Sequence, residues 1–326
     1  MKKQTNRIDT KDLVEGFLFS LQADGKAVRT YEYYTNNLQH FLNYVNDHNW
    51  PDKIHQIESQ HIREFLAYVA SRTYTHGAGN GTQITRHSKP SSAWPYFRTL
   101  RRLFNWAIEE GFLDSSPLAT IHFKQPSEPQ IQPYTVEELQ RLLAVCELDM
   151  KTNAYFTGIR NKGMLLLFID SATRLGEMIG LKINDVDLNN RILHILGKGN
   201  KKGIAPFSSI TAKVLWNWEI QRKLRAKTNY FWITEEGNAF SIEGLKSWLK
   251  RLKVRAGVHS PGGIHRLRHT AALQYLRGTR DSFLLQLFLR HESLEMSRRY
   301  TQGLKQEEAI EAHRNGGSPV EGLGLG

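Results

Sequence analysis

Three prolines in the stretch HFKQPSEPQIQPYT, Pro126, Pro129 and Pro133, prevent a helix from running through it. Proline has no backbone N–H to donate and pushes the residue before it into extended conformations, so residues 123–134 read as an extended linker. The 326-residue chain has room for a globular domain on either side, 1–122 and 135–314. The Gly-rich end, 315–326, is expected to be a disordered tail. With 40% hydrophobic residues, each side can bury a core of ordinary size, which excludes wholesale disorder.

The N-terminal part has helical periodicity. Leu13, Val14, Phe17, Leu18 and Leu21 mark one helix; Leu38, Phe41, Leu42 and Val45 a second; Ile62, Phe65, Leu66 and Val69 a third; Leu100, Leu103, Phe104 and Ile108 a fourth. Between the third and fourth, THGAGNGTQITRHSKPSS reads as a polar loop carrying basic residues. On the fourth helix Arg98, Arg101 and Arg102 lie at i, i+3 and i+4, a cationic edge suited to phosphate contact. The alternative is an ordinary solvated helix face.

Beyond the linker, Thr135 followed by Glu138 is a capping-box signature that starts a helix. Ile159–Leu181 is helical with a break around Ser171-Ala172-Thr173, and DVDL, RILHILG and IAPFS read as three short strands. Helices are expected over Val214–Leu224, Ile242–Val254, His265–Leu276, Phe283–Leu289 and near Lys305–His313. The fold class is therefore mainly α with a small β-sheet: a helical N-terminal domain and a mixed α/β domain.

The charge balance, 44 Lys+Arg against 32 Asp+Glu, gives +12 and points to a polyanionic partner, most commonly nucleic acid. The single Cys146 excludes an internal disulfide and a Cys-rich zinc module, and fits a reducing cytosol. The N-terminus has no signal-peptide apolar run, and the longest apolar stretch, Met164–Ile169, is too short to span a bilayer. A cytoplasmic protein without a membrane partner is expected.

Four segments carry possible chemistry. In HRLRHT, His265, Arg268 and His269 share one helical face; a guanidinium beside an imidazole suits phosphate chemistry, while His265 and His269 alone could also propose a zinc pair. SATRLGEM places Arg174 three residues before Glu177, which is also the pattern of a structural ion pair. GKGNKKG puts Lys198 on a hairpin between two strands, and LRHESLEMSRRYT places Tyr300 nine positions after His291.

In this order Arg174, Lys198, His265, Arg268, His291 and Tyr300 resemble the catalytic set of the tyrosine recombinase (phage integrase) family. LFIDSATRLGEMIGLKINDVDL is similar to its first box, LGKGNKKGIAPFS to its β-hairpin, HRLRHTAALQYLRGT to its second box and LRHESLEMSRRYTQ to its closing segment. The resemblance covers residues 135 to about 313. It extends more loosely over SSAWPYFRTLRRLFNWAIEEGFLDSSPL, like the end of the family's core-binding domain. Three departures stand out: Ser171-Ala172 where Thr-Gly is usual, Arg290 where Gly is usual before the His, and a long loop at 73–90. Gly permits a turn conformation that Arg disfavours.

The resemblance implies a site-specific recombinase that cleaves and rejoins double-stranded DNA through a 3′-phosphotyrosyl link to Tyr300. Arg174 and Arg268 would stabilise the phosphorane, Lys198 would protonate the leaving 5′-oxygen, and His265 would assist proton transfer. His291 would hydrogen-bond the phosphate, with Glu177 holding Arg174. It implies no metal and no cofactor, dimers on inverted half-sites and a tetramer at synapsis. The N-terminal helices and the catalytic domain would clamp the DNA, and the helix near Lys305–His313 would either pack on a neighbouring subunit or close its own domain. The helical segment starts close to the N-terminus, so a further arm-site-binding domain is not expected. Alternatives are a type IB topoisomerase-like enzyme, a catalytically silent DNA-binding regulator, and a zinc hydrolase using His265 and His269.

Overall fold

The computed structural model describes residues 8–77, 83–126, 132–197, 202–293 and 295–301. The chain divides into two compact units, residues 1–129 and 130–326.

The first unit is built from α1 (Thr10–Ala23), α2 (Val28–Asp47), α3 (Ser59–Ser71) and α4 (Ala93–Glu109). The apolar positions at helical spacing are the ones that become buried: Leu13, Phe17, Leu38, Phe41, Ile62, Phe65, Leu103 and Phe104 form one core. Aromatic edges tighten it, as where Phe41 meets Phe65 with ring centroids 5.2 Å apart in a T-shaped pair. The expected polar loop between α3 and α4 is instead a two-stranded antiparallel ribbon, β1 (Thr73–Gly77) and β2 (Gln83–His87). Its register pairs Thr73 with His87, Tyr74 with Arg86 and Thr75 with Thr85. Threonine and tyrosine favour extended backbone even where no apolar face marks a strand, and that is why periodicity alone missed it.

The second unit is entered through the capping box: Thr135 accepts from the Glu138 N–H (3.2 Å), and Glu138 accepts from the Thr135 N–H (3.0 Å). There α5 (Val136–Lys151) packs closely on α6 (Tyr155–Ser171). A Cβ at Gly158 of α6 would lie 2.7 Å from the Cys146 carbonyl, so this approach requires glycine. After α6 come α7 (Leu175–Gly180) and a sheet of β3 (Val186–Asp187), β4 (Ile192–Leu196) and β5 (Lys202–Pro206), antiparallel in sequence order. The remaining helices are α8 (Ser209–Lys223), α9 (Ile242–Arg255), α10 (Ile264–Thr279), α11 (Ser282–Leu289) and α12 (Glu295–Thr301). Helix α8 starts earlier than its periodicity predicts because Ser208 caps it, accepting from the Thr211 N–H.

The main core of this unit gathers Met164, Leu165, Leu167 and Phe168 of α6 with Leu193, Trp218, Trp232 and Leu249. A smaller cluster joins Ala172, Leu273, Leu276, Leu285, Leu289 and Tyr300. The helix expected near Lys305–His313, Lys198 of the hairpin and the 315–326 tail lie outside the described residues. Among the described residues no helix is long and apolar enough to cross a membrane.

Candidate active site

Helix α10 carries HRLRHT, and its side chains divide by task. Arg266 is buried and turns toward the start of the unit. It donates to the carbonyls of Gln132 (2.7 Å) and Pro133 (2.9 Å), pairs with Glu138 (3.0 Å) and lies 4.0 Å from the Tyr134 ring centroid. It is a structural clamp on the entry segment. Arg268 and His269 are also buried, whereas His265, one turn earlier, is exposed.

Two helix ends position Arg268. Its guanidinium donates to the Ala172 carbonyl at the end of α6, to the Leu289 carbonyl at the end of α11 (2.6 Å), and meets His291 Nε2 at 3.2 Å. Last-turn carbonyls carry the negative end of a helix dipole, so each end attracts a guanidinium. Both helices stop in the left-handed conformation without glycine: Ala172 has φ 48° and Arg290 φ 53°. These are the two positions where the family resemblance places Gly. A side chain there costs about 1–2 kcal/mol, and such strain concentrates at functional sites.

Arg174 is the N-cap residue of α7. The Glu177 carboxylate accepts from its backbone N–H (2.8 Å) and from its guanidinium (2.8 Å), while Arg174 Nη2 donates to the Arg290 carbonyl (3.3 Å). The Glu177 oxygen that accepts the Arg174 backbone N–H also accepts from Arg290 Nη2 at 2.9 Å. One carboxylate thus holds two guanidiniums, and Arg268 lies close enough to feel both.

The charges show in the titration of these groups. Burial, then the neighbouring Arg174 and Arg290, push Arg268 down to about 10. Burial pushes Glu177 up, but Arg290 and the Arg174 hydrogen bonds outweigh it and hold the carboxyl below its ordinary value. Three guanidiniums against one carboxylate leave an excess of positive charge that a phosphodiester would neutralise. Among the described residues no three His, Cys, Asp or Glu side chains come together as a metal site.

Tyr300 of α12 is only 2% exposed. Its ring lies under His269 (centroids 5.1 Å apart) and beside His291 (6.2 Å, stacked). His291 Nδ1 is 2.9 Å from Ser297 Oγ, one turn before Tyr300 on the same helix. The structure thus brings Arg174, Glu177, Arg268, His291 and Tyr300 into one neighbourhood. His265 is exposed at the start of α10, one turn before Arg268, and Lys198 lies outside the described residues. The sequence offered His269 only as a zinc ligand beside His265, and Arg290 only as a departure from the usual Gly. The signals were there: His269 follows Arg268 directly, and Arg290 occupies a position where the family has Gly.

In the first unit, Arg98, Arg101 and Arg102 are all exposed on α4, away from its buried face. Arg102 approaches Glu109 at 3.8 Å across exposed surface, a pairing that contributes little.

Comparison with known proteins agrees with this geometry. The model of the phage integrase family matches residues 134–307, more than half of the chain. The chain belongs to the phage integrase family. The model of the phage integrase N-terminal SAM-like domain matches residues 13–110. Tyrosine recombinase XerC of Xanthomonas campestris pv. campestris (strain B100) is 27% identical over 293 residues, covering 90% of this chain and 84% of that protein. Among solved structures, XerH site-specific recombinase bound to palindromic difH substrate, a post-cleavage complex, superposes with a TM-score of 0.68 at 22% identity. It covers 92% of this chain and 83% of that one. A lambda integrase tetramer bound to a Holliday junction gives 0.67 at 17% identity, covering 90% and 78%. These likenesses establish the tyrosine recombinase fold for both units.

Proposed function

We propose that this family member is a site-specific recombinase that breaks and rejoins duplex DNA, with Tyr300 as nucleophile. The observation that carries the reading is the convergence of Arg174, Arg268 and His291 on the small cluster that holds Tyr300. Tyr300 Oη attacks a backbone phosphorus, the P–O5′ bond breaks, and the product is a 3′-phosphotyrosyl ester with a free 5′-hydroxyl. The tyrosine proton leaves through an imidazole, for which His265 is the candidate. The 5′-oxygen gains a proton, for which Lys198 is the candidate on the family pattern alone. Arg174 and Arg268 stabilise charge on the pentacoordinate phosphorus, and Glu177 holds Arg174 in place. The ester conserves the bond energy, so rejoining by the 5′-hydroxyl needs no external energy source.

Because Tyr300 is almost fully buried, a duplex phosphate reaches it only after α12 shifts. The short helix has little core of its own, which makes such a shift inexpensive. Its partners in action are double-stranded DNA with inverted half-sites, a second copy on each site and four copies at synapsis. The lambda integrase tetramer and the XerH complex support that assembly by analogy of fold.

Nicked suicide substrates made from the DNA flanking the gene test the reading, with wild type and Tyr300→Phe in parallel. Expected is a denaturant-resistant protein–DNA adduct from wild type only. An adduct that persists in Tyr300→Phe removes Tyr300 from its role. Rapid relaxation of plasmids without any preferred site would favour a topoisomerase-like activity instead.

A further inference from the structure

Among the described side chains, the ribbon β1–β2 of the first unit shows no buried one. Every described side chain on its strands, Thr73, Tyr74, Thr75, Gln83, Thr85, Arg86 and His87, is exposed. A lone two-stranded ribbon of this kind is marginally stable in water, so a folded one calls for something to lie against. Its foot is nevertheless fixed. Arg72 donates to the Tyr96 hydroxyl of α4 (3.1 Å), and the Ser88 N–H donates to the Arg72 carbonyl (2.9 Å). The ribbon therefore stands on the same helix that presents Arg98, Arg101 and Arg102.

The charge around it has one sign. From residue 65 through 108 the sequence contains no Asp or Glu, while Arg72, Arg86, Lys89, Arg98, Arg101 and Arg102 are cationic. The strand surfaces offer hydroxyl, amide, imidazole and guanidinium groups, which are hydrogen-bonding partners for phosphates and base edges. A two-stranded ribbon also has the cross-section that the major groove of B-DNA admits. Five residues per strand give a reach of about 17 Å.

We propose that the β1–β2 ribbon is a second DNA-contacting element of the first unit, lying against a duplex groove, with Arg86 and Lys89 engaging phosphates. This rests on the reading of duplex DNA as substrate and extends the contact beyond α4. The bare ribbon edges could instead pair with a protein strand, but a segment with six cationic residues and no acid from 65 through 108 favours a polyanion.

The test is binding of the full-length protein to a random-sequence DNA duplex over a series of salt concentrations. Wild type, Arg86→Gln with Lys89→Gln, and the charge-keeping Arg86→Lys with Lys89→Arg are compared. Each phosphate contact contributes about 0.9 to the slope of log affinity against log salt. The Gln pair should therefore make the slope shallower by nearly two, with an unchanged thermal midpoint, and the charge-keeping pair should restore it. A Gln pair with the wild-type affinity and slope overturns the ribbon proposal while leaving the DNA reading intact. No duplex binding by wild type under any salt condition sinks the DNA reading itself, and the ribbon proposal with it.

Discussion

Arginine is used in opposite ways in the two units. On α4 and strand β2, Arg86, Arg98, Arg101 and Arg102 are exposed, and the nearest acid that pairs with any of them is Glu109, 3.8 Å from Arg102. In the candidate active site Arg268 is buried and Arg174 and Arg290 are partly buried; all three hydrogen-bond to helix-end carbonyls, and Arg174 and Arg290 share Glu177. An exposed guanidinium acts at long range, is screened by salt and adds little to folding. A buried one has one geometry, depends on its partners and is costly to leave unpaired. The first arrangement attracts and holds a polyanion; the second fixes donors where charge develops in a reaction. Substitutions should therefore separate the units by what they change.

The largest effect should come from Glu177, the carboxylate that both Arg174 and Arg290 share. Glu177→Ala leaves these guanidiniums uncompensated and should cost about 3–5 kcal/mol in urea unfolding. The same residue sets an acid limb. Its folded-state pKa is held below the unfolded value, so its stabilisation is present at neutral pH and is lost as pH falls through the folded pKa. Wild type should lose stability on acidification more steeply than Glu177→Gln, whose side chain does not titrate; parallel pH profiles would contradict this.

Arg268→Gln comes next. Removing a preorganised donor of this kind should slow covalent adduct formation by about 10²–10³-fold, while the salt dependence of DNA binding stays near wild type. If affinity falls and the single-turnover rate holds, Arg268 belongs with the exposed arginines and the contrast breaks.

Arg290→Gly sharpens the comparison from another side. It relieves a left-handed backbone worth about 1–2 kcal/mol but removes the 2.9 Å pair with Glu177. The two should nearly cancel in stability, while cleavage slows because Glu177 loses one of its two tethers. Arg290→Lys, which keeps a charge near Glu177, should recover part of that rate.

The smallest folding effect belongs to α4. Arg98→Gln and Arg101→Gln should each change stability by less than about 0.5 kcal/mol and make the salt slope of binding shallower by about one. Arg102→Gln should change the slope less, because Glu109 already lies 3.8 Å away.

Much of this was legible in the chain itself. The apolar periodicity of Leu13–Leu21, Leu38–Val45 and Ile62–Val69 maps onto α1, α2 and α3, and the Thr135–Glu138 pair marks the start of α5. The order of Arg, Lys, His, Arg, His and Tyr pointed to the family. What stayed hidden depends on contacts distant in sequence or on backbone geometry. Arg266 carries no role in the sequence reading, and only its partners Gln132, Pro133 and Glu138, far back in the sequence, reveal it as a clamp. Ala172 and Arg290 read as departures from a pattern, and nothing local shows that both adopt the conformation glycine would have taken. The β1–β2 ribbon carries no apolar alternation in sequence, and its described strand side chains are all exposed.

The central claim is that one side chain on α12 makes the bond to DNA. It is tested most directly by digesting a trapped protein–DNA adduct with nuclease and protease and sequencing the nucleotide-bearing peptide by mass spectrometry. The expected result is the peptide containing Tyr300, with the residual nucleotide on that tyrosine. The same mass carried by another residue, Tyr275 of α10 for instance, would contradict the claim and move the reaction away from the site built by Arg268 and His291.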